Sequence, residues 1–160
     1  MATTYLALGT NLGDKKLNLN RAIEEIKKRI GSVIKLSAFY TSEAWGFKSE
    51  NSFVNAVLQV QTKLKPEELL LETQKIEKDL GRIEKSINSS YTDRIIDIDI
   101  LFYESYIINS DKLQIPHPHI KDRNFVLIPL CEIAPDFIHP TLKSSIKELT
   151  KGKTPLVKLK

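Results

Sequence analysis

The chain of 160 residues is 41% hydrophobic and 28% charged, with a formal net charge of +4. This is the composition of an ordinary globular protein, and no apolar run reaches the roughly 20 residues of a membrane helix. The chain holds one cysteine, which excludes an intrachain disulfide, and its first residues lack the pattern of a signal peptide. We therefore expect a single cytoplasmic domain over residues 1–160 that makes no contact with a membrane.

The positive charge is concentrated at the C-terminus. Residues 143–160 hold six lysines against one glutamate, a local charge of +5, which leaves −1 for residues 1–142. We expect a basic tail at about residues 143–160 rather than a basic face on the folded core. This distribution argues against a nucleic-acid partner.

The predicted elements alternate between strands and helices. Apolar runs or alternation predict strands over four segments: residues 4–9, 33–44, 53–63 and 94–103. Helical spacing between the first two strands predicts a helix with Gly31 as its C-cap. A second helix starts at Pro66, since proline is favoured in a first turn. The order β-α-β-β-α-β predicts an α+β, ferredoxin-like fold with an antiparallel sheet.

Further elements follow the last of these strands. Residues 104–115 are expected to form a hairpin, and residues 126–133 a short apolar helix that precedes the basic tail. These segments are C-terminal additions to the ferredoxin-like core.

The strand at residues 94–103 reads RIIDIDILFY and contains two aspartates. In a strand, Asp97 and Asp99 share one face with Cα atoms about 7 Å apart, while the isoleucines take the other face. Adjacent carboxylates repel each other unless a cation lies between them, and Mg²⁺ prefers such oxygen ligands. D-x-D alone more often marks a solvated strand face, but the apolar flanks and the nearby Arg94 favour a metal site.

Two further patterns indicate a phosphate ligand. Arg82, Arg94 and Arg123 offer the bidentate donors that suit phosphate oxygens, although each one alone also fits a solvated surface. His117 lies between two prolines, which either present the imidazole to a ligand or form a rigid surface turn. Because the chain has no glycine-rich phosphate loop, a nucleotide would be bound through metal and arginine.

Five separated blocks carry a resemblance to a known family: YLALGTNLGD, FYTSEAWGF with FVNAV, LLLETQKIEKDLGR, DRIIDIDILFY, and IPHPHIKDRNFVLIPLCEIAP. Over roughly residues 4–140 the chain resembles the 6-hydroxymethyl-7,8-dihydropterin pyrophosphokinases of folate biosynthesis. The resemblance implies a ferredoxin-like fold and transfer of diphosphate from ATP to the pterin alcohol. It also implies small-molecule substrates only and a monomeric enzyme.

The resemblance also implies roles for individual residues. Asp97 and Asp99 would bind two Mg²⁺ ions, and the catalytic residues would be Arg82, Arg94 and Asp97. The residues implied for ATP binding are Leu70, Gln74, Glu77, Arg82, Tyr91, Arg94, Ile100, Lys112, His117 and Arg123. Those implied for the pterin are Ser42, Glu43, Trp45, Phe53, Asn55, Asp97 and Phe125. Judged without the family, the two phenylalanines would be core residues, and Gln74 with Glu77 a solvated helix face.

The chain departs from the family pattern near the phosphates. Ser42, Glu43 and Ala44 replace a Thr-x-Pro, Glu84 stands where a second arginine is common, and His119 replaces another arginine. Residues 89–93 replace an R-W-G-P-R loop, with Tyr91 standing in for the tryptophan. We therefore predict an active enzyme with weaker nucleotide binding than an arginine-rich relative; a titration showing equal or tighter binding would contradict this.

Two alternative functions stay open at this stage. A ferredoxin-like RNA-binding module would share the fold, but the chain lacks the aromatic run that such modules place on the sheet. A degenerate relative that binds pterin or nucleotide without turnover would explain Glu84 and the altered loop. An activity assay separates this relative from the enzyme.

Overall fold

The computed structural model describes residues 1–42, 52–83 and 95–159, and the side chains of all of these except 82 and 83. The strands are β1 (Ala2–Thr10), β2 (Gly31–Leu36), β3 (Tyr40–Ser42), β4 (Phe53–Thr62), β5 (Asp97–Tyr103), β6 (Ile108–Asn109), β7 (Gln114–Ile115) and β8 (Val157–Lys158). The helices are α1 (Lys15–Arg29), α2 (Pro66–Ile83), α3 (Asn124–Ile133) and α4 (Ile146–Leu149), with a 3-10 turn at Ile120–Asp122. No helix among these residues is both long and apolar enough to cross a bilayer.

The main sheet is antiparallel, with the strand order β5-β1-β4-β3-β8, and β2 also pairs with β4. In this order β1 and β4 are central and the two βαβ units interleave, which confirms the predicted ferredoxin-like α+β fold. Strands β6 and β7 form the separate hairpin that was predicted after β5.

Helices cover both faces of the sheet. Helices α1 and α2 pack on one face, where the buried side chains of Leu6, Leu8 and Ile98 lie against Leu19 and Ile76. Helix α3 packs on the other face in a second cluster, whose sheet residues include Tyr5, Ala7, Val57 and Phe102. Helices α1 and α2 bury apolar residues at helical spacing, and Asp14 caps α1 by accepting the Leu17 N–H at 3.1 Å.

The predicted strand at residues 33–44 is in fact two strands, β2 and β3. Leu36 pairs with Leu58 and Tyr40 pairs with Asn55, so three residues of this chain segment face two residues of β4. The extra residue is accommodated at Ser37. The hydroxyl oxygen of Ser37 accepts the Val57 N–H at 2.9 Å in place of a backbone carbonyl. The break is therefore a local bulge.

The predicted C-cap role of Gly31 is wrong. Helix α1 ends at Arg29, its C-cap is Ile30, which keeps right-handed helical angles, and Gly31 is the first residue of β2. A Cβ at Gly31 would lie 1.9 Å from the Gln61 carbonyl oxygen. Glycine is needed here because the backbones of β2 and β4 approach so closely.

The segment that we predicted as a basic tail is folded from residue 143 to residue 159. It contains α4, whose Ile146 is buried in the second cluster, and β8, which is an edge strand of the main sheet. The sequence pattern did not reveal this because a two-residue strand carries too few residues for a periodicity.

Candidate functional site

The two aspartates lie at the start of β5, on the face of the sheet that α3 covers. Asp97 is the register partner of Gly9 and Asp99 that of Ala7, a member of the second cluster. Both aspartates are half-buried, whereas Ile98 and Ile100 are buried on the opposite face. The predicted division of this strand into an acidic and an apolar face is therefore found, although the regular strand begins at Asp97.

Two basic groups face Asp99. The Nε2 atom of His117 and one guanidinium nitrogen of Arg123 each lie 3.9 Å from its Oδ2 atom. Burial, together with the positive charges of Arg123 and His119, lowers the pKa of His117 to about 4. The His119 N–H donates to Nδ1 of His117 at 3.2 Å, so the neutral imidazole carries its proton on Nε2, facing Asp99.

A third carboxyl group, that of Glu77 on α2, reaches the same strand. It accepts the Ile98 N–H at 2.8 Å. Burial, a hydrogen bond with Asp97 and the charges of Asp97 and Asp99 together raise the pKa of Glu77 to about 7. A cation bound between these carboxyl groups would offset their negative charge.

A cleft of about 320 Å³ opens beside the aspartates, between β5, α2 and the β6–β7 hairpin. Four residues predicted to bind the nucleotide line it: Leu70, Ile100, Lys112 and His117. The other lining residues are Ile98, Asp99, Asp111, Leu113, Gln114 and Pro118. The His117 N–H bonds to the Leu101 carbonyl at 3.0 Å, which fixes the Pro-His-Pro segment against β5. The volume is that of a small-molecule site.

Gln74 stands apart from this group. It is exposed on α2, on the same helical stripe as Leu70 and Glu77, but it does not line the cleft.

The residues predicted for the pterin lie beside the aspartates, across β1. Asn55 is the register partner of Gly9, which in turn pairs with Asp97, so the three residues form one row across three strands. Asn55 is buried, and its Oδ1 atom accepts the Ser42 hydroxyl at 3.3 Å. Phe53 pairs with Ser42, is half-buried and points to the same face as Asn55.

Phe125 and Arg123 lie together at the start of α3. Phe125 is half-buried against the second cluster, and the Arg123 guanidinium lies 5.7 Å from the centre of its ring. Because Arg123 also faces Asp99, its guanidinium group lies near both the Phe125 ring and the acidic face of β5.

Several predicted site residues fall outside the described part of the structure. These are Glu43, Trp45, Tyr91 and Arg94, together with the side chain of Arg82.

Two features of the site were not predicted. Gly9 leaves room for Asn55, since a Cβ at this glycine would lie 2.8 Å from the Asn55 Nδ2 atom. The glycine at the end of a strand pattern could have signalled such a close approach.

Glu132 on α3 accepts the Tyr40 hydroxyl at 2.5 Å and the Ala38 N–H at 3.1 Å. No pattern in the sequence links these distant residues.

The donor set at β5 fits a hard divalent cation. Magnesium in proteins commonly binds one or two carboxylates, and substrate phosphates and water complete its coordination. The paired Asp97 and Asp99 supply such oxygens, and the carboxyl group of Glu77 lies beside Asp97. Across residues 1–42, 52–83 and 95–159, no three His, Cys, Asp or Glu side chains form a metal site of their own.

Comparison with known proteins identifies the family. A sequence profile described as 7,8-dihydro-6-hydroxymethylpterin-pyrophosphokinase (HPPK) matches residues 5–135. The chain is 46% identical over 141 residues to the 2-amino-4-hydroxy-6-hydroxymethyldihydropteridine pyrophosphokinase of Porphyromonas gingivalis, covering 88% of this chain and 95% of that protein. It is 42% identical over 154 residues to the protein of the same name from Aquifex aeolicus, covering 96% and 94%.

The fold also has a counterpart among solved structures. The crystal structure of Plasmodium falciparum HPPK-DHPS with pterin and p-hydroxybenzoate matches with a TM-score of 0.73 at 20% identity, over 92% of this chain and 42% of that chain. At this identity the match shows the fold alone, and this chain spans less than half of the longer one. Because the profile covers most of the sequence and two relatives match it along nearly their whole length, the chain belongs to the 7,8-dihydro-6-hydroxymethylpterin-pyrophosphokinase family.

Proposed function

We propose that this chain transfers a diphosphate group from ATP to 6-hydroxymethyl-7,8-dihydropterin and releases AMP. The observation that carries the proposal is the position of Asp97 and Asp99. They lie between a cleft of about 320 Å³ on one side and the buried amide of Asn55 on the other. Two substrates bound at these places would meet at the acidic end of β5.

The nucleotide is proposed to occupy the cleft beside β5. Leu70 and Ile100 supply apolar contacts for the base, and Lys112 lies at the cleft wall with a positive charge for the anionic part. Arg123 and the neutral Nε2–H of His117 face Asp99 and can donate to phosphate oxygens there. We assign Gln74 and Glu77 on α2, and Arg82, Tyr91 and Arg94, to the same substrate from the family resemblance.

The pterin is proposed to lie along the row that ends at Asn55. The Asn55 amide, held by Ser42, offers the paired donor and acceptor that a pterin edge requires. Phe53 and Phe125 are half-buried on the same side of the sheet and would stack on the flat ring. Glu43 and Trp45 complete the proposed set.

The reaction joins the pterin hydroxyl oxygen to the β-phosphorus of ATP and breaks the bond from this phosphorus to the oxygen of the α-phosphate, which leaves with AMP. Asp97 would orient the hydroxyl group and draw its proton, a role supported by its position in the row that ends at Asn55. Arg82, Arg94 and Arg123 stabilise the charge that develops on the phosphate oxygens. Two Mg²⁺ ions held by Asp97 and Asp99 would offset the charge of the triphosphate.

We also propose that the whole chain acts as one domain, as a monomer, and in the cytoplasm. The alternative of an RNA-binding module requires an open sheet face, whereas α1 and α2 cover one face of this sheet and α3 covers the other.

An assay of AMP release tests the proposed function. AMP should form when ATP, Mg²⁺ and the pterin alcohol are all present, and only background hydrolysis should remain when the pterin is left out. Binding of both substrates without AMP release would identify the chain as a degenerate relative instead.

A further inference from the structure

The C-terminal strand β8 closes the edge of the main sheet beside β3. Val157 pairs with Thr41, Lys158 pairs with Tyr40, and the Leu159 N–H donates to the Phe39 carbonyl at 2.7 Å. The Thr41 hydroxyl adds a bond to the Val157 carbonyl at 3.2 Å. Val157 is 71% exposed, whereas Leu159 is partly buried against the core cluster on the α1 and α2 side of the sheet, so backbone pairing and the Leu159 side chain hold this segment in place.

Strand β3 is short and carries part of the proposed pterin site. It contains three residues, and the last of them, Ser42, donates its hydroxyl to Asn55. A strand of this length makes few ladder bonds to β4, so its position depends strongly on its second neighbour. In this structure the second neighbour is β8.

The same C-terminal segment reaches the other wall of the proposed pterin site. The side-chain amide of Asn124 donates to the Thr154 carbonyl at 3.2 Å. Asn124 is the first residue of α3 and lies between Arg123 and Phe125. Residues 154–159 therefore contact both β3 and the start of α3.

The nucleotide cleft lies at the opposite edge of the sheet. Its wall is β5, which the order β5-β1-β4-β3-β8 separates from β8 by three strands. Strands are about 4.8 Å apart, so the cleft is more than about 15 Å from β8. A change confined to β8 should therefore act on the pterin side and leave the nucleotide side intact.

We propose that residues 154–159 are a positioning clamp for the pterin. The clamp holds β3, and hence Ser42 and Asn55, at a fixed distance from Phe125 at the start of α3. This role rests on the proposed function, and it concerns a segment that follows residue 135, where the match to the family profile ends.

The test compares two full-length variants at one position. Leu159→Pro removes the N–H that bonds Phe39, whereas Leu159→Ala keeps this N–H and shortens the same side chain. Pterin affinity is measured in the presence of a non-hydrolysable ATP analogue, and the affinity for the analogue is measured alone. We expect Leu159→Pro to bind pterin about tenfold more weakly than Leu159→Ala, as the loss of about one well-placed hydrogen bond would cause. Binding of the ATP analogue should be unchanged.

Equal pterin affinity in the two folded variants would overturn the inference, as would a parallel loss of pterin and nucleotide binding. If Leu159→Pro does not fold, Asn124→Ala carries the test, because it removes only the attachment to α3; unchanged pterin affinity in that variant overturns the clamp. If the unmodified chain binds no pterin, the proposed function fails together with the clamp. If it binds pterin and the variants match it, the clamp alone fails.

Discussion

Replacing Gly9 by alanine should weaken pterin binding by displacing Asn55. The new Cβ would lie 2.8 Å from the Asn55 Nδ2 atom, and ordinary contact begins at 3.4 Å. The amide must therefore move by about 0.6 Å or more. Its bonds to the Leu8 carbonyl at 3.4 Å and to the Ser42 hydroxyl at 3.3 Å are already long, so a shift of this size breaks at least one of them.

The size of the loss in pterin affinity follows from the proposed role of the Asn55 amide in binding the pterin. A polar group that loses its partner on burial costs about 1–3 kcal/mol, so the pterin Kd should rise about five- to 150-fold. The displaced atom is the end of a side chain, and Gly9 is not among the glycines with positive φ, so the backbone tolerates alanine. The free energy of unfolding should fall by about 1–3 kcal/mol, because the buried amide loses one of its bonds.

The assay is a titration of pterin with a saturating ATP analogue, together with a urea unfolding curve. Gly81→Ala is the matched control, since a Cβ at that helical glycine meets nothing within 4 Å. This control should bind pterin normally and should be more stable by about 0.5–1 kcal/mol, because alanine favours the helix. A Gly9→Ala variant with unchanged pterin affinity would refute the proposed role of Asn55.

Two further predictions concern stability. Burial lowers the pKa of His139, so the folded state favours the neutral imidazole. The contribution of His139 to the free energy of unfolding is therefore present above the unfolded pKa of about 6.5 and is lost as pH falls below that value. The loss is at most about 1.4 kcal/mol per pH unit. His139→Asn keeps an acceptor for the Thr141 and Leu142 N–H groups and should lose less stability between pH 7 and 5 than the unmodified chain; an equal loss contradicts this. Arg29 joins α1 to Glu72 at 2.9 Å and Asp79 at 3.0 Å on α2, so Arg29→Met should cost about 1 kcal/mol in urea unfolding, and less at high salt. A cost that is the same at every salt concentration would argue against an electrostatic link.

The parts of the fold that rest on periodicity were predictable from the sequence. The alternation in β5 placed Asp97 and Asp99 together on one face, and the spacing in α1 and α2 identified their buried stripes. The ferredoxin-like order followed, because each element carries its own pattern over several residues.

The features that depend on distant partners were not predictable. The break between β2 and β3 rests on Ser37, whose hydroxyl replaces a ladder carbonyl, and on Glu132, which bonds Ala38 from α3. The raised pKa of Glu77 arises only when α2 brings it against β5. The pairing of β8 with β3 joins residues more than a hundred positions apart, and no local sequence pattern predicts it.

The central claim is that Asp97 and Asp99 serve the reaction rather than the fold. Its most direct test measures AMP formation and the free energy of unfolding for Asp97→Asn and Asp99→Asn, with Asp136→Asn, an exposed aspartate on a different segment, as the control. Both site variants should lose AMP formation while unfolding at the same or a higher urea concentration, since each relieves repulsion near Glu77. The control should keep full activity. Turnover that survives in either site variant, or activity lost only in proportion to lost folding, would contradict the claim.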